Sequence, residues 1–355
     1  LHGVETGETA DVSTYTLAAV PSTATPTLLG LGVSSISLQW THNGNPAGTR
    51  YLLGVSTDPA FGTGLVRDSG FTTAFSTAIV GLIPNSTYYA GVLAVNAFGV
   101  ETATRPLGST VTYAAAPAAA VSTWTAVSST ALTAAWEANG NAAGTRYEAQ
   151  FSTAVLPNGL PTNLSLSTYP YGAPAASFVS LTPNTTYYLG VRAVNHAGVA
   201  TSQTLFGSTI SLAAVPAAST NTFAGVFLTS MTVQWQSGPN PAWPQYRVAA
   251  ATSADYGGPL WSTEWEAFTS TTVSGLTRNT TYHLRVEARN AAGTRTAFLD
   301  MGATATVANV PVDGGNPFPM VGLSSVAASW VSAGNPSGTR YEVVVSTLNS
   351  TPDGS

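Results

Sequence analysis

Four histidines, His2, His42, His196 and His283, are the side chains in this 355-residue chain best suited to moving protons near neutral pH. No two stand four residues apart, the spacing that brings two imidazoles to a metal on one helix face. Cysteine is absent, which removes thiol catalysis, disulfides and Cys-ligated zinc or iron–sulfur centres. Lysine is absent too, so a Gly-rich phosphate loop ending in Gly-Lys is impossible. There is no Gly-x-Ser-x-Gly nucleophile elbow and no Asp-rich calcium loop. The closest acidic pair, Glu264 and Glu266, flanks Trp265. On a strand the two carboxylates share a face, as a glycosidase pair would, but a surface strand supplies no cleft. The reading is of no enzyme, no metal and no cofactor.

Charge narrows the partners. All 11 basic residues are Arg, against 16 acids, for a net charge of −5. Only 8% of residues are charged, where globular chains carry about 25%. Phosphate neutralisation needs many cations, so nucleic acid is excluded and an anionic membrane surface disfavoured. No apolar run reaches the ~18 residues of a spanning helix, so no membrane insertion is expected in this segment. The opening residues lack a signal-peptide pattern, and any such leader is expected to have been removed. A hydrophobic fraction of 44% and an aromatic fraction of 10% are enough to build cores.

The elements that would position any site repeat along the chain. Trp40, Trp136, Trp235 and Trp330 mark a period near 97 residues. Each is preceded at nineteen residues by Pro21, Pro117, Pro216 or Pro311, and followed at five by Asn45, Asn141, Asn240 or Asn335. Eleven residues after each Trp comes Tyr51, Tyr147, Tyr246 or Tyr341. A second block reads LIPNSTYY, LTPNTTYY and LTRNTTYH, and Asn96/Gly99, Asn195/Gly198 and Asn290/Gly293 follow it. Within a period, Ile36, Leu38 and Trp40 alternate with Ser37 and Gln39, and Tyr51, Leu53 and Val55 alternate likewise, the two-residue period of half-buried strands. Asn-Gly, Asn-Pro and Gly-Thr pairs separate the runs, and no segment shows capped helical spacing. About seven strands per ~97 residues predicts an all-β tandem array of β-sandwiches.

The run Leu82-x-Pro84-x-Ser86-x-Tyr88, followed by Val92, Ala94, Asn96 and Gly99, resembles the fibronectin type III pattern, as does the Trp ending the second strand. The resemblance implies seven-stranded sandwiches, with Trp40, Trp136, Trp235 and Trp330 as core anchors. It also implies a tyrosine corner at Tyr88, Tyr187 and Tyr282. Arg278 departs from the pattern, standing where the other copies have Pro84 and Pro183, and is expected to loosen one corner.

The phase of the repeats sets the expected boundaries. Gly3-Val4-Glu5-Thr6 aligns with Gly99-Val100-Glu101-Thr102, so residues 1–19 read as the last strand of a preceding repeat. Whole repeats are expected at 20–115, 116–214 and 215–309, and the first three strands of a further one at 310–355. Either the sequence is an excerpt of a longer array, or the fragments complete one another between neighbouring molecules.

Three features carry the candidate contacts. Asn85, Asn163, Asn184, Asn279 and Asn349 begin Asn-x-Ser/Thr triplets, which suit either turn geometry or glycosylation. Trp243, Trp261 and Trp265 concentrate in the third repeat; they suit sugar stacking, self-association, or packing against their own or a neighbouring domain. The second repeat carries an insertion, Leu156 to Tyr171, with Tyr169 and Tyr171, that is either a contact loop or a long surface loop. Sheet edges are normally guarded by charge, and here that guard is thin, with Ser and Thr making up about a quarter of the chain. The sequence therefore predicts an extracellular or cell-surface structural protein whose partners are copies of itself, building a fibre, sheath or surface layer. The second reading is an adhesin or carbohydrate-binding spacer that meets glycans.

Overall fold

The computed structural model describes residues 13–61, 65–155, 161–162, 165–169, 174–241 and 244–347. They form strands and turns, with no helix among them. The first set comprises β1 (Ser22–Leu31), β2 (Ser35–Thr41), β3 (Arg50–Ser56), β4 (Leu65–Thr72), β5 (Ser76–Val80), β6 (Thr87–Val95) and β7 (Arg105–Val111). The second comprises β8 (Ala118–Val127), β9 (Ala131–Glu137), β10 (Arg146–Ser152), β11 (Ala154–Val155), β12 (Pro161–Thr162), β13 (Ser165–Tyr169), β14 (Ala175–Val179), β15 (Thr186–Val194) and β16 (Thr204–Ile210). The third comprises β17 (Ala217–Val226), β18 (Ser230–Gln236), β19 (Gln245–Ala251), β20 (Leu260–Ser262), β21 (Ser270–Ser274), β22 (Thr281–Arg289) and β23 (Leu299–Ala305). Two short strands end the chain, β24 (Met320–Val321) and β25 (Val326–Ala327).

The chain divides into two compact units, Leu1–Ala126 with Thr133–Phe178 and Tyr187–Thr209, and Val127–Leu132 with Val179–Thr186 and Ile210–Ser355. In the first unit, sheets β1-β2-β5 and β4-β3-β6-β7 face each other across one core. Strand alternation makes that core: Ile36, Leu38 and Trp40 are buried while Ser35, Ser37 and Gln39 between them stay half-exposed. Register carries the pattern across the sheets, with Ile36 opposite Ile79 and Leu53 opposite Val92. In the second unit, β17-β18-β21 and β20-β19-β22-β23 enclose Met231, Trp235, Tyr246, Leu284 and Val286 in the same way.

The Trp expected at each core meets the Tyr eleven residues on. Trp40, Trp136 and Trp235 are 2%, 2% and 5% exposed. The tyrosine corner forms as the resemblance implies at Tyr88 and Tyr282: Ile83 N–H donates to Tyr88 Oη at 3.0 Å, and Thr277 N–H to Tyr282 Oη at 2.8 Å. Tyr187 is buried, stacked on Phe151 with ring centroids 4.7 Å apart.

The C-terminal end departs from expectation. At the other end, the last strand expected within residues 1–19 falls largely on residues 1–12, which lie outside the described residues. Of the three strands expected in 310–355, only the short β24–β25 pair and a Val312–Val331 bridge form, and Tyr341 to Val345 is not a strand. The reason is pairing. Strand β3 is held by β6 over seven residue pairs, and no counterpart of β6 follows Tyr341 within these 355 residues. Trp330 is therefore 38% exposed and anchors no core.

Candidate contact surfaces

The asparagine five residues after each Trp does one job throughout. Asn141 Nδ2 donates to Ala115 O at 2.8 Å and its Oδ1 accepts from Ala115 N–H at 2.7 Å. Asn45 makes the same pair with Ala19, Asn240 with Ala214, and Asn335 with Asn309, at the same two distances. A primary amide matches a peptide group donor for acceptor, so each side chain completes the hydrogen bonding of one extended linker residue.

A second asparagine holds the same linker three residues earlier. Asn195 Oδ1 accepts from the N–H groups of Ala197 and Val199, shaping its own turn, and Nδ2 donates to Thr112 O at 3.3 Å. Asn96 binds Thr16 O and Asn290 binds Ser211 O likewise. The hydroxyl of that linker residue points the other way. Thr112 Oγ1 donates to Ile83 O at 2.8 Å and accepts from Ser86 N–H at 3.0 Å; Ser211 and Thr306 repeat both bonds on their own turns. Four residues of chain are thus tied to the repeat before and the repeat after.

The triplet asparagines complete the junctions. Asn85 sits at φ 53°, a left-handed turn conformation that Asn tolerates better than most residues. It is fully buried; Nδ2 donates to Thr145 Oγ1 at 2.7 Å and Oδ1 accepts from His196 N–H at 2.6 Å. Asn279 donates to Thr339 Oγ1 at 2.8 Å, and Asn184 accepts from Ala291 N–H at 3.1 Å, both again left-handed. Of the two readings open for these triplets, the turn carries the geometry, and at Asn85 glycosylation is corrected: its amide nitrogen is enclosed and engaged. Asn163 and Asn349 lie outside the described residues. Arg278 is corrected as well. It tightens the next boundary instead of loosening a corner, its Nη1 donating to Ala333 O at 2.6 Å.

The third sandwich carries a different surface. Trp261, partly buried, packs on its own core, edge-on to Tyr282 at 5.1 Å, the own-domain packing that was one of the readings open for it. Trp265, half-buried, lies among three guanidinium groups, with Arg289, Arg247 and Arg295 at 4.5, 5.0 and 5.6 Å from its ring centre. Arg247 also pairs with Glu287, which is 2% exposed. Beside them Arg285 is sandwiched by Tyr256 and Phe298 at 3.8 and 3.9 Å. Burial, reinforced by the Asp300 charge and opposed by Arg285, pushes the Tyr256 phenol up. Asp255 is held below the usual carboxylate range by the Ser253 hydroxyl and Gly257 N–H. Trp243 and Tyr171 lie outside the described residues, as does most of the insertion; the backbone of Tyr169 pairs with Tyr147 on an edge strand.

Glu264 is exposed, and Glu266 pairs through its backbone with Tyr246, so neither frames a cleft. Among the described residues no cluster of three or more His, Asp or Glu is placed to hold a metal ion. The signal for the junctions was present in the sequence. Asn recurs at a fixed offset where other turn residues would serve, and Thr49, Thr145 and Thr339 recur nine residues after the Trp.

Residues 218–298 match the family model of the fibronectin type III domain. No curated protein matches the chain. Among solved structures, the crystal structure of chicken CNTN1 FN1–FN3 domains is 17% identical, with 81% of this chain and 100% of that one covered and a TM-score of 0.26. A two-domain fibronectin type III segment from chicken tenascin is 18% identical, covers 54% of this chain and 100% of that one, and has a TM-score of 0.38. At these values the likenesses carry no statement about partners or activity.

Proposed function

We propose that this chain of tandem β-sandwiches, of which residues 218–298 match the fibronectin type III family, is an extracellular structural protein whose sandwiches associate into a fibre, sheath or surface layer. The observation that carries the reading is the recurrence of one hydrogen-bond set, Asn141 on Ala115 and its equivalents, at every boundary between described repeats. A junction built from the same residues each time lets an array grow by repetition with no new chemistry. The sparse charge supports it, because Ser, Thr and Ala surfaces repel their own copies little. Electron microscopy of the purified chain tests it: ordered fibres or sheets with a fixed period are expected, and dispersed single molecules at all concentrations overturn it.

A second reading has one observation of its own. Trp265 ringed by Arg247, Arg289 and Arg295 offers an aromatic face beside cations, which suits an acidic sugar. An adhesin or carbohydrate-binding spacer would hold acidic glycans there, and Trp265→Leu would abolish their capture on a glycan array.

A further inference from the structure

At the end of the first sandwich that receives its linker, a cavity of about 200 Å³ is lined by Tyr15, Asn45, Gly48, Thr49, Asn96 and Ala97 among others. Its position is equivalent, residue for residue, to the surface of the second sandwich that receives Asn85. Thr49 corresponds to Thr145 and Ala97 to His196, each at the same offset from Trp40 and Asn96 as its partner from Trp136 and Asn195. The local geometry is already set. Thr49 Oγ1 donates to Pro46 O at 2.9 Å, as Thr145 does to Ala142 O and Thr339 to Pro336 O, leaving the hydroxyl oxygen free to accept. The linker side is also filled, by the Ala19–Asn45 pair and the Thr16–Asn96 bond. What differs is cover. Thr145 is 2% exposed beneath the Asn85 turn, whereas Thr49 is half-exposed and Ala97 exposed. No partner for the Ala97 N–H is present among the described residues.

We propose that this cavity is a preformed receptor for the Asn-x-Ser/Thr-Tyr turn of another sandwich of the same type. The turn's Asn Nδ2 donates to Thr49 Oγ1 and its Oδ1 accepts from Ala97 N–H. The occupant is identified by internal equivalence: Asn85 makes both bonds on the second sandwich, Asn279 makes the hydroxyl bond on Thr339, and Asn184 makes the amide bond on Ala291. The two bonds need a donor and an acceptor on one side chain, which a primary amide supplies from separate atoms and an ionised Asp does not. The inference rests on the array reading for its biological meaning, while the docking stands on this geometry.

The test extends the chain by one repeat. Residues 1–19 are replaced by a copy of residues 20–115, so that the copy's Thr112–Ala115 take the places of Thr16–Ala19. Hydrogen exchange at the Ala97 amide is then compared in three chains: the parent, the extended chain, and the extended chain with Asn85→Gly in the added copy, which keeps the left-handed turn and removes the side chain. Ala97 is expected to exchange about tenfold or more slower in the extended chain, approaching His196, and to return to the parent rate with Asn85→Gly. The His196 amide, bonded in all three, shows that the measurement sees such a bond, and Val92 in the core reports that the first sandwich stays folded. Equal Ala97 rates in parent and extended chains overturn the proposal, as does protection that survives Asn85→Gly. Fibre formation by the parent is read separately in the microscope, so either idea can fail alone.

Discussion

Trp235 and Tyr246 meet edge to face with ring centroids 5.5 Å apart, and Trp330 and Tyr341 do the same at 5.5 Å although no sandwich closes over them. The first and second sandwiches hold the pair at 5.9 and 5.8 Å. The contact therefore follows from the short connection between the two segments, while its energetic value follows from what encloses it. Trp235 is 5% exposed and Trp330 38%. Trp235→Ala is expected to cost roughly 3–5 kcal/mol by emptying a packed core. Trp330→Ala should cost under about 1 kcal/mol, because no cavity is left behind. Thermal unfolding of the two variants decides: equal losses would mean that Trp330 is in a core after all.

The amide pair at Asn141 supplies the next expectation. Asn141→Ala leaves the N–H and C=O of buried Ala115 without their partners, at about 1–3 kcal/mol. The loss should appear as earlier unfolding and as faster exchange of the Ala115 amide. An unchanged Ala115 rate would show that the pair is incidental.

How much of this was legible differs by residue. The cores were, because Ile36, Leu38 and Trp40 announce a strand by alternation and the fixed offsets repeat it down the chain. The corner was legible at Tyr88 and Tyr282 for the same reason. The junction was legible only as recurring Asn and Thr offsets, and the pairing of Asn85 was not, because Asn85 reads as a turn residue from sequence alone and is one; its second role needs Thr145, sixty positions away, which no local pattern connects to it. Arg278 misled because a departure from proline reads as a loss, whereas its length lets it reach Ala333. The last strands failed because alternation at Tyr341, Val343 and Val345 states a preference that pairing must satisfy, and no partner strand follows in these residues.

Burial raises the Tyr246 phenol to about 12 from its ordinary 10.0. The folded state thus favours the protonated form. This contribution to stability is fully present below pH about 10, where the unfolded phenol begins to ionise, and is lost as pH rises through about 12. Tyr246→Phe should flatten the alkaline limb of the third sandwich's stability between those values. If the wild-type and Phe variants lose stability in parallel there, other groups govern the alkaline transition.

Trp265 should act as a clamp on three like charges. Each cation–π contact at such a site is worth about 0.5–1 kcal/mol, so Trp265→Ala should cost roughly 1.5–3 kcal/mol. Trp265→Leu keeps apolar cover without an aromatic face, and the difference between the two variants separates packing from cation–π attraction. Identical melting of Leu and wild type would assign the whole effect to packing.

The third repeat has Pro244 where the others have Thr49, Thr145 and Thr339, and there Asn184 bonds only the Ala291 amide among the described contacts. Pro244→Thr places a hydroxyl where Thr145 holds one for Asn85. The added bond is worth about 0.5–1.5 kcal/mol. Removing proline, however, frees the unfolded chain by about 0.4–1 kcal/mol, so the two effects nearly cancel in the melting temperature. The informative observable is local, and Pro244→Val is the control, since valine has the shape of threonine without its hydroxyl. The Asn184 side-chain amide protons should exchange several-fold more slowly in Pro244→Thr than in the parent, and at the parent rate in Pro244→Val. Equally slow exchange in both variants would show that loss of the proline ring, not a hydrogen bond, had changed the junction.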